Sequence, residues 1–237
     1  MPHPILITGA SQRVGLAIAN DLLAQGEAVI ITYRTHKPAV DALTEAGATV
    51  IQADFSTDDG IARCIDEIKA STEGLRAIIH NASQWDSEKQ QTNYAHLFDQ
   101  MMQIHAKAPY LLNMGLSSLL SNPNGQADII HITDFVQDAG SDKHLAYAAS
   151  KAALHNLTLS FARLLAPEVK VNTIAPALLM FNEHDDEAYK QKALAKSLMA
   201  CEPGAEAAVD AVNYLLKSSY VTGESLQVNG GRHLKFS

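Results

Sequence analysis

The amino-acid sequence predicts a single α/β domain, a doubly wound parallel sheet of about seven strands with helices on both faces. Three observations carry that reading. Short apolar runs of strand length alternate with longer amphipathic segments along the chain. Strands separated in this way imply right-handed crossovers and a sheet covered on both sides. The first apolar run ends in a glycine turn that opens the first helix, where sheets of this kind bind their ligands. Finally, no repeat, low-complexity tract or linker interrupts the 237 residues, so 1–237 reads as one domain.

Each element follows from its local pattern. Residues 4–8 form a buried strand, 14–25 a helix, and the apolar run 28–33 a second strand. A helix over 38–46 leads to a strand at 49–53, and a helix over 60–71 to the strand 77–80. Residues 96–118 read as one long helix, followed by a strand at 128–133. The apolar positions of 147–165 cover much of a helix surface, so that helix is expected to be buried on more than one side. A strand at 169–174, a helix over 206–217 and a strand at 225–228 complete the alternation. Two segments, 84–94 and 177–199, lack clear periodicity. Both follow strands, at the end of the sheet where long loops carry function.

Composition narrows the possible functions. With 47% hydrophobic and 19% charged residues, the chain has the make-up of an ordinary globular protein. A net charge of −8 argues against a nucleic-acid or anionic-membrane partner. There is no apolar run long enough for a membrane span and no signal-like start, so the cytoplasm is the expected location. Cys64 and Cys201 have no metal-ligand spacing and read as thiols; no metal site is expected.

The chemistry centres on Tyr147 and Lys151, four residues apart and therefore on one helix face. A lysine ammonium beside a phenol is expected to lower the tyrosine pKa from its free value of about 10. Such a tyrosine can exchange a proton with a carbonyl or imine. The glycine turn runs Thr8-Gly9-Ala10-Ser11-Gln12-Arg13-Val14-Gly15. Glycine permits the tight turn, and the helix N-terminus beyond it attracts phosphate. At the end of the second strand, where NAD enzymes commonly carry an acidic residue, the chain has Tyr33-Arg34-Thr35, with no carboxylate before Asp41. Arginine can fork onto a 2′-phosphate and threonine can donate to it, so NADPH is the expected cofactor.

Taken together, these residues resemble the short-chain dehydrogenases/reductases, and the resemblance runs nearly end to end. The family turn T-G-x-x-x-G-x-G is matched with Arg13 at its middle glycine, and N-N-A-G is matched by His80-Asn81-Ala82-Ser83. Tyr147 and Lys151 match Y-x-x-x-K; Val171-Asn172 with Pro176-Ala177 resembles the following family segment. Val221-Thr222-Gly223 and Asn229-Gly230-Gly231 resemble its C-terminal motifs. The departures point to one branch. Asp134 stands where the family has its serine, thirteen positions before the tyrosine, and His105 aligns with the usual helix asparagine. Arginine in the turn, N-A-S and the aspartate together resemble the pteridine reductases.

The resemblance implies a Rossmann-like fold and NADPH-dependent reduction of a 7,8-dihydropterin, with dihydrofolate as a further substrate. It implies catalytic roles for Asp134, Tyr147 and Lys151. The implied cofactor residues are Gly9, Arg13, Val14, Gly15, Arg34, Thr35, Asp54, Phe55, Asn81, Ala82, Tyr147, Lys151 and Pro176. The implied substrate residues are Arg13, Ser83, Trp85, Asp134 and Tyr147, with Trp85 stacking on the pterin. An aspartate suits the N–H and NH2 edge of a pterin better than a ketone oxygen, because an ionised carboxylate only accepts hydrogen bonds. His105 reads as a satisfied helix histidine ahead of a catalytic one, and His80 is given no role. The resemblance also implies a homo-oligomer, commonly a tetramer. A carbonyl or 3-oxoacyl reductase and a non-catalytic NADPH-sensing regulator are the alternatives.

Overall fold

The computed structural model describes residues 3–235. Seven parallel strands form one sheet in the order β3-β2-β1-β4-β5-β6-β7. They are β1 (Ile5–Ile7), β2 (Val29–Tyr33), β3 (Thr49–Gln52), β4 (Ala77–His80), β5 (Ala127–Ile132), β6 (Val169–Pro176) and β7 (Ser225–Val228). Order reverses between β1 and β4, which leaves a crevice at their C-terminal ends.

Side-chain alternation splits the core in two. Leu6, Ile78, Ile129 and Val171 point to one face, while Ile5, Ile7, Ile79, Ile130 and Ile174 point to the other. Helices α1 (Arg13–Ala24), α2 (Pro38–Glu45) and α9 (Glu206–Lys217) flank the second face. The first is covered by α3 (Asp58–Ser71), α5 (Ala108–Leu116) and α7 (Leu145–Leu165). Each fully buried aliphatic side chain contributes roughly 1.5–3 kcal/mol. The two layers therefore fix the strand ends rigidly beneath the crevice.

Two expectations need correction, and one short element goes unread. The stretch 96–118 is not one regular helix. It comprises α4 (Tyr94–Met102), a π-helical turn over Gln103–Lys107, α5, and a 3-10 turn at Ser117–Leu119. Pro109 lacks the N–H that would continue an α-helical ladder, and the widened turn absorbs the break. The irregular 177–199 segment contains a helix, α8 (Glu187–Leu194), whose N-terminus is capped by Asp186 through the N–H of Tyr189. A short helix, α6 (Val136–Ala139), follows Asp134 and is invisible to periodicity at four residues. The segment 84–93 does lack regular structure. Among the described residues no helix is long and apolar enough to cross a membrane.

Candidate active site

A cavity of about 440 Å³ opens at the β1/β4 switch point, lined by Gly9, Arg13, Val14, Arg34, Thr35, Asp54, Phe55, Asn81, Ala82 and Ser83 among others. Its floor is the glycine turn. Gly9 has φ +67, and a Cβ there would stand 2.8 Å from the Ala82 Cα. At Gly15 a Cβ would stand 2.4 Å from Asn81 Nδ2, so both positions exclude a side chain. Asn81 Nδ2 donates to the carbonyls of Thr8 at 3.0 Å and Gly9 at 2.9 Å. Thr8 Oγ1 in turn accepts from the N–H groups of Asn81 and Ala82. Asn81 thus holds the turn that the cofactor would rest on. Gln12 gives α1 no side-chain cap, which leaves its first-turn N–H groups suited to a phosphate.

The arginine in this turn is strained and engaged. Arg13 adopts φ +52, a left-handed conformation that costs a non-glycine residue roughly 1–2 kcal/mol. Its guanidinium crosses to the segment after β6, donating to the Met180 carbonyl and to Asn182 Oδ1, both at 2.9 Å. At the far end of the cavity Arg34 and Thr35 are exposed, as a phosphate contact requires. Asp54 lies beside Arg34, and hydrogen bonds from Ser56 hold its carboxyl below the usual range.

The other end of the cleft is more enclosed, with Lys151 buried and Asp134 and Tyr147 half-buried. Tyr147 donates its hydroxyl to Asp134 Oδ2 at 3.1 Å, and Lys151, 2% exposed, donates to the Ile132 carbonyl at 3.0 Å. Burial raises the Asp134 carboxyl above its ordinary value, although the Val136 N–H and the Lys151 charge oppose the rise. Burial lowers Lys151 to about 8, with the Asp134 charge acting against it. The expected lowering of the Tyr147 pKa is not found. Burial, followed by the charge of Asp134 and its hydrogen bond, raises Tyr147 well above its ordinary value. The lysine nitrogen, 5.6 Å from the ring centroid and bonded to a carbonyl, does not outweigh these effects. The phenol is held as a proton donor.

Ser83 and His105 connect the two ends. Ser83 Oγ lies 2.8 Å from His105 Nε2, and the His105 ring packs edge-on against Tyr147 with centroids 5.3 Å apart. Burial holds His105 neutral, its pKa well below the ordinary value. The reading of a satisfied helix histidine agrees with this geometry. Trp85, by contrast, is 57% exposed and packs on His144 at 4.7 Å between centroids. Pro176 ends β6, and its carbonyl accepts from Phe135. Gly15, Trp85, Asp134, Tyr147, Lys151 and Pro176 are not among the residues lining the cavity. His80 donates into a buried chain through Asn113 and His131, away from the cleft.

Sequence reasoning missed several neighbours. Glu88 Oε1 accepts from the Ala146 N–H at 2.8 Å and caps α7, which carries Tyr147 and Lys151. Ser150 and Gln84 bond His105. Arg232 lies over the Phe135 ring at 4.3 Å, and its charge helps to hold down the Asp134 pKa. Only Arg232 carried a local signal, a cation directly after a glycine pair.

Comparison with known proteins agrees with this architecture. A family model described as enoyl-(acyl carrier protein) reductase matches residues 9–233. A dihydromonapterin reductase of Klebsiella pneumoniae subsp. pneumoniae is 59% identical over 235 residues, covering 99% of this chain and 98% of that protein. One from Escherichia coli (strain SMS-3-5 / SECEC) is 58% identical with the same coverage. Among solved structures, FolM alternative dihydrofolate reductase 1 from Brucella canis, complexed with NADP, superposes with a TM-score of 0.88 at 26% identity. That match covers 99% of this chain and 95% of the other. The Pseudomonas aeruginosa RhlG/NADP complex gives 0.87 at 25%, covering 98% and 97%. Similarity over nearly the whole length leads to one assignment: the chain belongs to the short-chain dehydrogenase/reductase family, on the branch of the dihydromonapterin reductases.

Proposed function

We propose that this protein reduces 7,8-dihydropterins to their tetrahydro forms with NADPH, taking a dihydromonapterin-like substrate and also dihydrofolate. The observation that carries the reading is Asp134, a carboxylate in the place of a serine, in hydrogen-bond contact with Tyr147. Dihydromonapterin reductases at 58–59% identity support the same reaction, and relatives solved with NADP support the cofactor.

The residues present fit NADPH. Gly9 and Gly15 leave a cradle that any Cβ would fill, α1 offers uncapped N–H groups, and Arg34 with Thr35 suits a 2′-phosphate. Bound NADPH would supply the hydride that reaches C6 of the pterin. Gly9, Val14, Asn81 and Ala82 shape the floor beneath the cofactor, Asp54 and Phe55 its adenine end, and Pro176 the nicotinamide end. Lys151 holds the nicotinamide ribose and keeps a positive charge near Asp134. Tyr147 carries the proton destined for N5, which becomes strongly basic as C6 is reduced. Asp134 orients that phenol and accepts from the N–H edge of the ring. Ser83, Arg13 and Trp85 complete the substrate end.

The test is turnover. Purified protein is incubated with NADPH and, separately, dihydromonapterin, dihydrofolate, a ketone and a 3-oxoacyl thioester, while loss of NADPH absorbance is followed. Dihydropterin turnover at least tenfold above either carbonyl substrate is expected; the reverse order would overturn the assignment. The protein is further read as a cytoplasmic homo-oligomer, a tetramer as in its family. Exposed Tyr94, Phe98, Tyr110 and Met114 on α4 and α5 supply an apolar face for it. Light scattering on the eluted protein reads the assembly directly.

A further inference from the structure

The hydrogen bonds around His105 can be followed proton by proton, and they close to one arrangement. Gln84 presents a backbone N–H to His105 Nε2 at 3.3 Å. A backbone N–H only donates, so Nε2 is the bare nitrogen and Nδ1 bears the proton. The other side agrees independently. Ser150 donates its hydroxyl to the Tyr147 carbonyl at 2.7 Å, leaving its oxygen to accept from His105 Nδ1 at 2.8 Å. With Nε2 bare, the 2.8 Å contact to Ser83 Oγ is an O–H donated by Ser83. Ser83 is exposed on the cavity wall, and its only proton points inward.

We infer that His105 is a positioning residue that fixes Ser83 as a pure hydrogen-bond acceptor, which reads an N–H group of the substrate ring. A free serine hydroxyl rotates and satisfies a donor or an acceptor equally. A serine with its proton committed favours N–H and leaves a carbonyl at that point unpaired, and an unpaired buried polar group is costly. The 2-amino-4-oxo edge and N8–H of a dihydropterin supply such N–H groups, whereas a simple ketone has none. This choice of ligand rests on the dihydropterin reading above, although the polarity of Ser83 does not. An asparagine at 105 has a carboxamide oxygen and nitrogen on one planar group, and it cannot bridge Ser83 and Ser150 as two opposed ring nitrogens do. The neutral ring is held so by burial, consistent with a fixed tautomer. The π-helical turn over Gln103–Lys107 holds this ring between the two serines.

Two measurements decide it. Nitrogen-15 NMR of histidine-labelled full-length protein, with His105→Asn used to assign the signal, is expected to show His105 as the neutral Nδ1–H tautomer. An Nε2–H tautomer would overturn the inference, because Ser83 would then be free to donate. Kinetically, Ser83→Ala and His105→Phe should each raise the dihydropterin KM about fivefold, the loss expected for one neutral hydrogen bond. Their kcat and NADPH affinity should stay within about twofold. The double variant should be no worse than the single ones, because both remove one interaction. Multiplying losses in the double variant, or equal losses in kcat, NADPH affinity and KM, would reduce His105 to a packing residue and sink the proposal. Absence of dihydropterin turnover in the unmodified protein, with the Nδ1–H tautomer present, would fault the substrate reading and leave the polarity of Ser83 standing. Should His105→Phe fail to fold, the tautomer and the Ser83→Ala kinetics still decide between the two roles.

Discussion

The two ends of the cleft achieve charge recognition in opposite ways. At the Asp134–Tyr147–Lys151 end Lys151 is buried and bonded to the Ile132 carbonyl, while the half-buried Tyr147 and Asp134 are already bonded to each other. Their proton affinities are displaced by burial before any ligand arrives. At the Arg34–Thr35 end the side chains are exposed, and Arg34 has only a 3.5 Å contact to Gln84 Oε1. Salt screens an exposed charge strongly and a buried one much less. The enclosed end is therefore tuned by the fold, while the open end, on the proposed NADPH reading, would acquire its strength when a phosphate arrives. Substitutions at the two ends should fail differently: in kcat at the enclosed end, in cofactor affinity at the open one.

The largest effect is expected at the enclosed end. Tyr147→Phe removes the hydroxyl that Asp134 orients, and a positioned acid contributes about 10²–10⁴-fold. Dihydropterin kcat should fall at least a hundredfold while the NADPH dissociation constant, read by fluorescence titration, moves less than twofold. Lys151→Ala should be nearly as damaging to kcat. A Tyr147→Phe variant retaining a tenth of the activity would break the contrast at its strongest point.

Next comes the open end. Arg34→Ala should raise the KM for NADPH about ten- to a hundredfold, matching roughly 1.5–3 kcal/mol for a charge-assisted contact. The weak NADH activity and the kcat with NADPH should barely change. That loss should shrink as salt is raised, whereas the Tyr147→Phe loss should not. Equal effects on both cofactors would remove Arg34 from the 2′-phosphate.

How much of this is legible in the sequence divides along the same line. The alternation of apolar runs locates all seven strands, because a sheet buried on both faces needs continuous apolar strands. Glycine spacing and Arg34-Thr35 locate the open end, where function depends on local residue type alone. The enclosed end is only half readable. Sequence identifies Tyr147, Lys151 and Asp134, yet suggests the wrong direction for the tyrosine pKa. That direction depends on burial and on which atom Lys151 Nζ meets, both set by packing across β5 and α7. The π-helical turn and the hydrogen bonds of His105 to Ser83 and Ser150 are also long-range facts. Their partners lie 22 and 45 residues away in sequence.

Asp134→Ser is a smaller and more diagnostic change. Serine removes a charge that supports the Lys151 cation, whose pKa burial has already lowered to about 8. The cation is present below that pH and lost above it, so kcat/KM for NADPH should fall on the alkaline side with a midpoint near 8. Without Asp134 the lysine loses its proton more easily, and this limb should move to lower pH. Dihydropterin kcat should drop about tenfold, less than the 10²–10⁴-fold of a positioned acid because Tyr147 still carries the proton, with NADPH still bound at neutral pH. An alkaline limb that stays in place would show that Asp134 and Lys151 are not electrostatically coupled.

The smallest effect is expected at Trp85, at the exposed rim of the proposed substrate end. It is 57% exposed, and its one aromatic neighbour among the described residues is His144, at 4.7 Å. The segment that carries it is anchored through Glu88 to the N-terminus of α7, so the indole is held near Tyr147 without being buried. A flat ring entering above the nicotinamide site could exchange the indole–imidazole contact for indole–pterin stacking, a partner of greater area. Aromatic pairs contribute roughly 0.5–1.5 kcal/mol beyond area burial. Trp85→Ala should accordingly raise the dihydropterin KM about fivefold, equivalent to about 1 kcal/mol, with NADPH affinity within twofold. An exposed residue away from caps and cavities changes stability by about 0.5 kcal/mol or less, so the unfolding midpoint should hardly move. Trp85 is also the only tryptophan, and its emission in the NADPH complex should be quenched when a dihydropterin is added, after correction for absorption by the ligand. An unchanged dihydropterin KM together with unquenched emission would leave Trp85 as a loop anchor on His144, and substrate stacking would have to come from another part of the cleft.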